Sequence, residues 1–287
     1  MDIVDSQIHM GPGGIDDVLG EMDRLGIQGV LVDEFWGLDN WGPGYLLPNG
    51  AMRATTPTIE LASAQHPDRF SYVQRIDRLD PERLALVRMT ADAPHTRAIR
   101  FIPAVTKVEC DAFADGGYAD MFEEAGKVGL PVFLFIAGHM DLVPRYLDEF
   151  PNVHFIVDHC GMPMEAGVSL LDEETPDGGG HPGPQPQYFD EVLKLAAWNN
   201  VSLKWSHAQG MFGELDYPSP GLIPYLRRAI DAFGVERIMW ASDFGGNQTG
   251  ETWDQLLHYL LDADDVSDAE KEWLFGGTVR QVVGWEK

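Results

Sequence analysis

Eight short apolar or β-branched runs, each followed by a stretch of helical spacing, constrain this chain more than any other feature. They are Ile3–Ile8, Gly29–Asp33, Phe70–Ile76, Ala98–Ile102, Pro131–Ile136, Val153–Asp158, Val201–Trp205 and Arg237–Ser242. Strands that alternate with crossover helices build a parallel sheet. Interiors such as Gly-Val-Leu-Val and Val-Phe-Leu-Phe-Ile also lack the alternation of a sheet with one wet face. Helices are expected near 15–25, 56–66, 80–91, 117–128, 141–149, 187–198, 221–233 and 251–262, with a last one over 267–283. Pro81 marks a helix start, and Gly129 and Gly234 mark helix ends. The length, 287 residues, lies a little above the roughly 250 typical of a closed α/β barrel. The pattern predicts one (β/α)8 TIM barrel over residues 1–287, with an extra C-terminal helix and long βα loops. A doubly wound open sheet is disfavoured, because no GxGxxG follows the first strand.

Two stretches break the rhythm. Residues 36–54 are rich in Gly, Trp and Pro and carry Trp36, Trp41 and Tyr45. Residues 162–187 run from Asp-Glu-Glu into Gly-Gly-Gly-His-Pro-Gly-Pro, which no regular element accommodates. Both follow strands and so belong to the face where barrels keep their long loops. The second is expected to be either a lid or a disordered insertion.

Composition narrows the function. The net charge of −26 argues against nucleic acid, whose phosphates need a basic surface. An anionic substrate must therefore be gathered by a few local cations. The longest apolar run, Leu130 to Ala137, falls far short of the roughly 20 residues that cross a bilayer. The amino terminus shows no charged-then-apolar leader, so a soluble, cytoplasmic protein without membrane or nucleic-acid partners is expected. Cys110 and Cys160 form no CxxC pair and are expected to be free thiols. Self-association into a homo-oligomer, common among barrels of this size, is left open.

In such a barrel the carboxyl ends of the strands converge on one mouth. The first strand ends Asp5-Ser-Gln7-Ile-His9, and alternation places Asp5, Gln7 and His9 on one inward face. The next three end at Asp33-Glu34, Arg75-Ile-Asp77 and Arg100-Phe-Ile-Pro103, and the fifth runs out to His139. The last three give Asp158-His159, Lys204-Trp-Ser-His207 and Ser242-Asp243-Phe244. One histidine at a strand end is usually a hydrogen-bonded structural residue. Several imidazoles converging with a carboxylate either hold a divalent metal or run acid–base chemistry. Arg75, Arg100 and Lys204 are placed to grip a substrate carboxylate; the alternative is ion pairing inside the barrel with Asp5, Asp33 or Asp77. Trp36, Trp41, Tyr45, Trp205 and Phe244 are candidate pocket walls or, equally, core.

In this order, Asp-Ser-Gln-Ile-His, Val-Asp-His159-Cys-Gly161-Met-Pro163, Val-Ser-Leu-Lys204 and Trp-Ala-Ser242-Asp243-Phe resemble the amidohydrolase superfamily. The branch they resemble is the amidohydrolase-related one, which holds sugar-lactone and pyrone-dicarboxylate lactonases together with metal-dependent decarboxylases. The terminal Leu-Phe-Gly-Gly277-Thr278-Val-Arg-Gln-Val-Val resembles its closing helix. The resemblance implies a site made of His9, His159 and Asp243, with two departures. The family's His-x-His on strand one is Gln7-x-His9 here, and strand five offers Phe133 or Phe135 in place of a histidine. An amide is a much poorer zinc ligand than imidazole. Either one divalent ion such as Zn or Mn is held by His9, His159 and Asp243 with waters, or none is.

The expected activity is hydrolysis of a lactone or ester-like bond in a small carboxylated or polyhydroxylated compound. Asp243 would be the base, with His9, His159 and His207 stabilising the oxyanion and Arg75, Arg100, Lys204, Gln7 and Trp36 holding substrate. A metal-dependent decarboxylase or hydratase is the second reading, and a non-catalytic small-molecule-binding barrel the third.

Overall fold

A computed structural model describes residues 1–34, 44–163, 186–245 and 250–286. Eight strands form one parallel sheet whose neighbours follow chain order. They are β1 (Val4–Ile8), β2 (Gly29–Val32), β3 (Phe70–Arg75), β4 (Thr96–Phe101), β5 (Val132–Leu134), β6 (Phe155–Val157), β7 (Val201–Ser206) and β8 (Ile238–Ala241). The sheet curls until β8 meets β1. There the Asp243 amide donates to the Gln7 carbonyl at 2.9 Å and the His9 amide to the Phe244 carbonyl at 2.7 Å. This seam makes the fold a (β/α)8 barrel, as the repeat predicts, and excludes the open sheet.

Alternate residues feed two cores. Outward-facing Val30, Tyr72, Phe101, Leu134, Val157 and Trp205 pack beneath the helices. Inward-facing Val4, Leu31, Val73, Ala98, Phe133, Ile156 and Met239 fill the barrel together with Val279, Val283 and Trp285 from the chain's end. A Cβ at Gly29, the first residue of β2, would lie 2.9 Å from Trp285 Cη2. The terminal tryptophan therefore closes the amino end of the barrel.

Helices follow the strands largely where the spacing places them, from Ile15–Leu25 to Trp253–Leu261. Glu34 fixes one of them: its carboxylate accepts the Thr58 amide at 3.1 Å and the Ile59 amide at 3.0 Å. It thereby satisfies orphan donors and opposes the dipole at the start of Pro57–Gln65. The expected final helix is divided into Asp268–Glu272, a π-helical turn over Trp273–Gly277, and Thr278–Val283. The wider turn buries both Leu274 and Phe275.

Three features depart from the sequence expectation. Helices Lys107–Ala114 and Ala208–Phe212 and a small hairpin, Gly44–Leu46 with Met52–Ala54, were not foreseen. Both helices are short, and Lys107–Ala114 owes its start to Thr106, whose hydroxyl accepts the Glu109 amide at 3.1 Å. In β1 the register runs Asp5↔Val30 and then Ile8↔Val32, an extra residue that flips the inward face. Val4 and Gln7 both point inward, while Asp5 turns out to Trp253, whose indole N–H donates to it at 2.8 Å. The expectation that Asp5 shares the face of Gln7 and His9 is thus corrected. Trp36, Trp41 and 164–185 of the expected lid or insertion lie outside the described residues.

Candidate active site

Asp33, Arg75, Arg100, Asp158 and Lys204 stand two positions beyond the inward residues Leu31, Val73, Ala98, Ile156 and Ser202. Period two turns them into the same interior, one layer nearer the mouth. They form one connected network. Arg75 grips Asp33 with Nε at 2.7 Å and Nη2 at 2.6 Å. Arg100 reaches Asp33 through Nη1 and Asp158 through Nε, the latter at 2.7 Å. Lys204 Nζ lies 2.5 Å from Asp158 and 4.8 Å above the Phe133 ring, and it donates to Gln7 Oε1. Burial would raise the Asp33 carboxyl, but Arg75 and Arg100 more than offset it and hold it below the carboxylate range. Asp158 is likewise lowered, against burial, by Arg100 and Lys204. Burial lowers the Lys204 ammonium, with Asp158 resisting.

The next layer is the mouth itself. Asp243 Oδ1 accepts from Gln7 Nε2 and lies 3.1 Å from His9 Nε2, while its Oδ2 lies 3.3 Å from His159 Nε2. His9 Nδ1 lies 2.9 Å from the Asp33 carbonyl, which fixes the N–H on that nitrogen and leaves Nε2 facing the site. The His159 ring stands edge-on to Phe135, 5.0 Å between centroids, and its buried Nδ1 has no hydrogen-bond partner among the described residues. Burial pushes the Asp243 carboxyl up, yet His159 and His9 outweigh this and hold it well below the usual range. Burial lowers His159, with Asp243 opposing. Asp243 is thus a buried carboxylate held between two imidazoles.

Backbone conformation marks the same residues. His159, His207 and Asp243 follow β6, β7 and β8 with φ of 50°, 50° and 60°, in the left-handed region that L-residues seldom occupy. Such conformations cost of order 1–3 kcal/mol each and cluster at functional sites. His207 is buried and packs over Gly210, where a Cβ would fall 2.9 Å from its Nε2.

The structure thus gathers Gln7, His9, His159 and Asp243 at one point, directly above Arg75, Arg100 and Lys204. Trp36 lies outside the described residues, and His139 is half-buried beyond β5. Trp205 faces the outer core and donates to Tyr259 Oη at 2.9 Å, and Phe244 stacks on Trp253. Both rings thus pack against the Trp253–Leu261 helix, and Tyr45 sits exposed on the hairpin. Asp33, which the sequence offers only as an ion-pair partner, and Asp158, which it places only at a strand end, organise all three cations. Their signal was present in the two-residue offset from the inner apolar layer.

Residues 18–285 match the amidohydrolase family, and the chain belongs to it. It is an amidohydrolase-type enzyme on a barrel scaffold. A zinc-bearing amidohydrolase from Burkholderia multivorans superposes with a TM-score of 0.72 at 17% identity, covering 99% of each chain. A Pseudomonas putida structure provisionally described as a 2-pyrone-4,6-dicarboxylic acid hydrolase gives 0.70 at 18%, covering 100% of this chain and 98% of its own. The 5-carboxyvanillate decarboxylase of Sphingomonas paucimobilis gives 0.63 at 13%, covering 99% of each. Among curated proteins, the uncharacterized y4mH of Sinorhizobium fredii is 30% identical over 112 residues, 38% of this chain and 31% of its own length. At these identities the structural neighbours establish the fold. No helix among the described residues is long and apolar enough to cross a membrane.

A neighbour with zinc makes the fit of a divalent ion a test for these side chains. His9 and His159 address different oxygens of Asp243, and the Gln7 amide nitrogen stands 3.2 Å from His9 Nε2 with its donors turned to the carboxylate. Among the described residues no group of three or more His, Cys, Asp or Glu is arranged to hold a metal ion. The donor set does not fit a firmly held divalent ion.

Proposed function

We propose that this enzyme opens a lactone or related ester-like bond in a small anionic compound, with Asp243 as general base. The observation that carries this is the meeting of Asp243 Oδ1 with His9 Nε2, 3.1 Å apart, at the seam of the barrel. A proton drawn from an attacking water fits between them. Water oxygen bonds to the ring carbonyl carbon while its proton passes to Asp243. The ring C–O bond then breaks and its oxygen recovers that proton, so that lactone and water give one hydroxy acid. Arg75, Arg100 and Lys204, in the layer below Asp243, face only the carboxylates of Asp33 and Asp158 among the described residues, and this one positive charge in excess favours the oxyanion and a substrate carboxylate. The provisional description of the Pseudomonas putida neighbour supports a carboxylated lactone.

A matched panel tests this: 2-pyrone-4,6-dicarboxylate and aldonolactones against 2,6-dihydroxybenzoate and 5-carboxyvanillate. Ring opening of a member of the first pair is expected. Carbon dioxide release from the aromatic acids with intact lactones contradicts it and favours decarboxylation; binding without turnover indicates a binding barrel.

A further inference from the structure

We infer that Lys204, acting through the Gln7 amide, is the fixed cation of this site and takes the place a divalent ion would occupy beside Asp243. This rests on reading Asp243 as the reacting carboxylate. An ammonium has only donors, so the Gln7 atom against Lys204 is the carboxamide oxygen, and the sense of the amide is settled. Its nitrogen must then point the other way, donating to Asp243 Oδ1 and standing 3.2 Å from His9 Nε2. Those are two of the three atoms a metal would need, and N–H groups already address them.

Charge gives an independent argument. In the connected network Arg75, Arg100 and Lys204 face Asp33, Asp158 and Asp243. Among the described residues these three cations are matched one for one by these three carboxylates. A divalent ion would add two positive charges next to a Lys204 that is 0% exposed and an Asp243 that is 4% exposed, and burial penalises uncompensated charge steeply. Lys204 touches Gln7, Asp158 and the Phe133 ring, so it is a positioning residue and not a catalytic one.

The test counts zinc and needs no substrate. Wild type, Lys204→Met, Lys204→Arg, Gln7→His and the double variant Gln7→His with Lys204→Met are dialysed against zinc, then against metal-free buffer. Retained zinc is measured by elemental analysis on protein shown by circular dichroism to be folded. Wild type and Lys204→Arg are expected to keep far less than one zinc per chain. The double variant, freed of both the ammonium and the amide donors, is expected to approach one and to lose it when Asp243→Asn is added. One zinc per wild-type chain overturns the inference, as does a folded double variant as zinc-poor as wild type. Should the double variant not fold, Lys204→Met and Gln7→His are counted singly: each is expected to retain more zinc than wild type, and folded single variants both as zinc-poor as wild type overturn the inference.

Kinetics on the substrate found in the panel give a second readout. Lys204→Met should lower kcat by about tenfold or more with KM little changed, and Lys204→Arg should restore part of it. A raised KM at unchanged kcat would mean that Lys204 holds substrate, and would overturn the positioning role. Failure of the hydrolysis reading leaves the zinc count interpretable, so the two claims fail separately.

Discussion

Single side chains around Asp243 derive their protonation from burial and partners together, and Asp5 shows how far burial alone can go. Its oxygens accept from the Ser242 amide at 2.9 Å and the Trp253 indole at 2.8 Å. Burial nevertheless pushes its carboxyl from 3.8 up to about 6. Between those values the folded protein keeps a proton that the unfolded chain has lost. The stability Asp5 supplies is complete below pH 3.8 and is lost as the pH rises through 6, by roughly 3 kcal/mol for two units. His154 works in the other direction: burial, aided by Arg237, pushes it from 6.5 down to about 4. Its contribution is present above pH 6.5 and is lost as the pH falls toward 4. Subtracting the urea stability of Asp5→Asn from that of wild type cancels the His154 slope. The wild type's relative stability should decline from pH 4 to 6.5, and a flat difference contradicts a neutral, buried Asp5.

Elements place these residues, and the two ends of the barrel are built differently. The carboxyl end is polar and strained, whereas the amino end is sealed by Trp285, which is 2% exposed, against the backbone of β2. Arg280 lies 4.9 Å from the centre of that indole. Trp285→Ala should cost about 3–5 kcal/mol, the usual loss for a large buried aromatic, read as a lower urea midpoint. A loss below about 1 kcal/mol would mean that the indole does not close the barrel. The eight strands were legible because Val, Ile, Leu and Phe crowd into short runs between helical segments. The inward layers were legible too, since Leu31-x-Asp33, Val73-x-Arg75 and Ala98-x-Arg100 keep step with the pleat. The β1 bulge was not, because one extra residue leaves no mark in composition while reversing Asp5. Ion pairing of Arg75 and Arg100 with Asp5, Asp33 or Asp77 was one of two open readings; of these, among the described residues, only Asp33 is the partner, and Asp158 just after β6, which was not expected, is the other.

At the scale of the whole molecule, the seam between β8 and β1 creates the site, since Gln7 and His9 meet Asp243 only where the sheet closes. The chain as a whole carries a net charge of −26. Like charges on a compact body repel, and salt screens exposed charges far more than buried ones. The melting temperature should therefore rise between low salt and about 1 M sodium chloride, with a fall or no change indicating that the surface carboxylates are already balanced by local pairs. The central claim concerns the one carboxylate at the seam. Asp243→Asn keeps the size of the side chain and removes the charge, so its turnover on the substrate identified by the panel is the most direct test. A folded variant that binds substrate but turns over about 10³-fold more slowly is the predicted result; a kcat within tenfold of wild type would contradict Asp243 as the base.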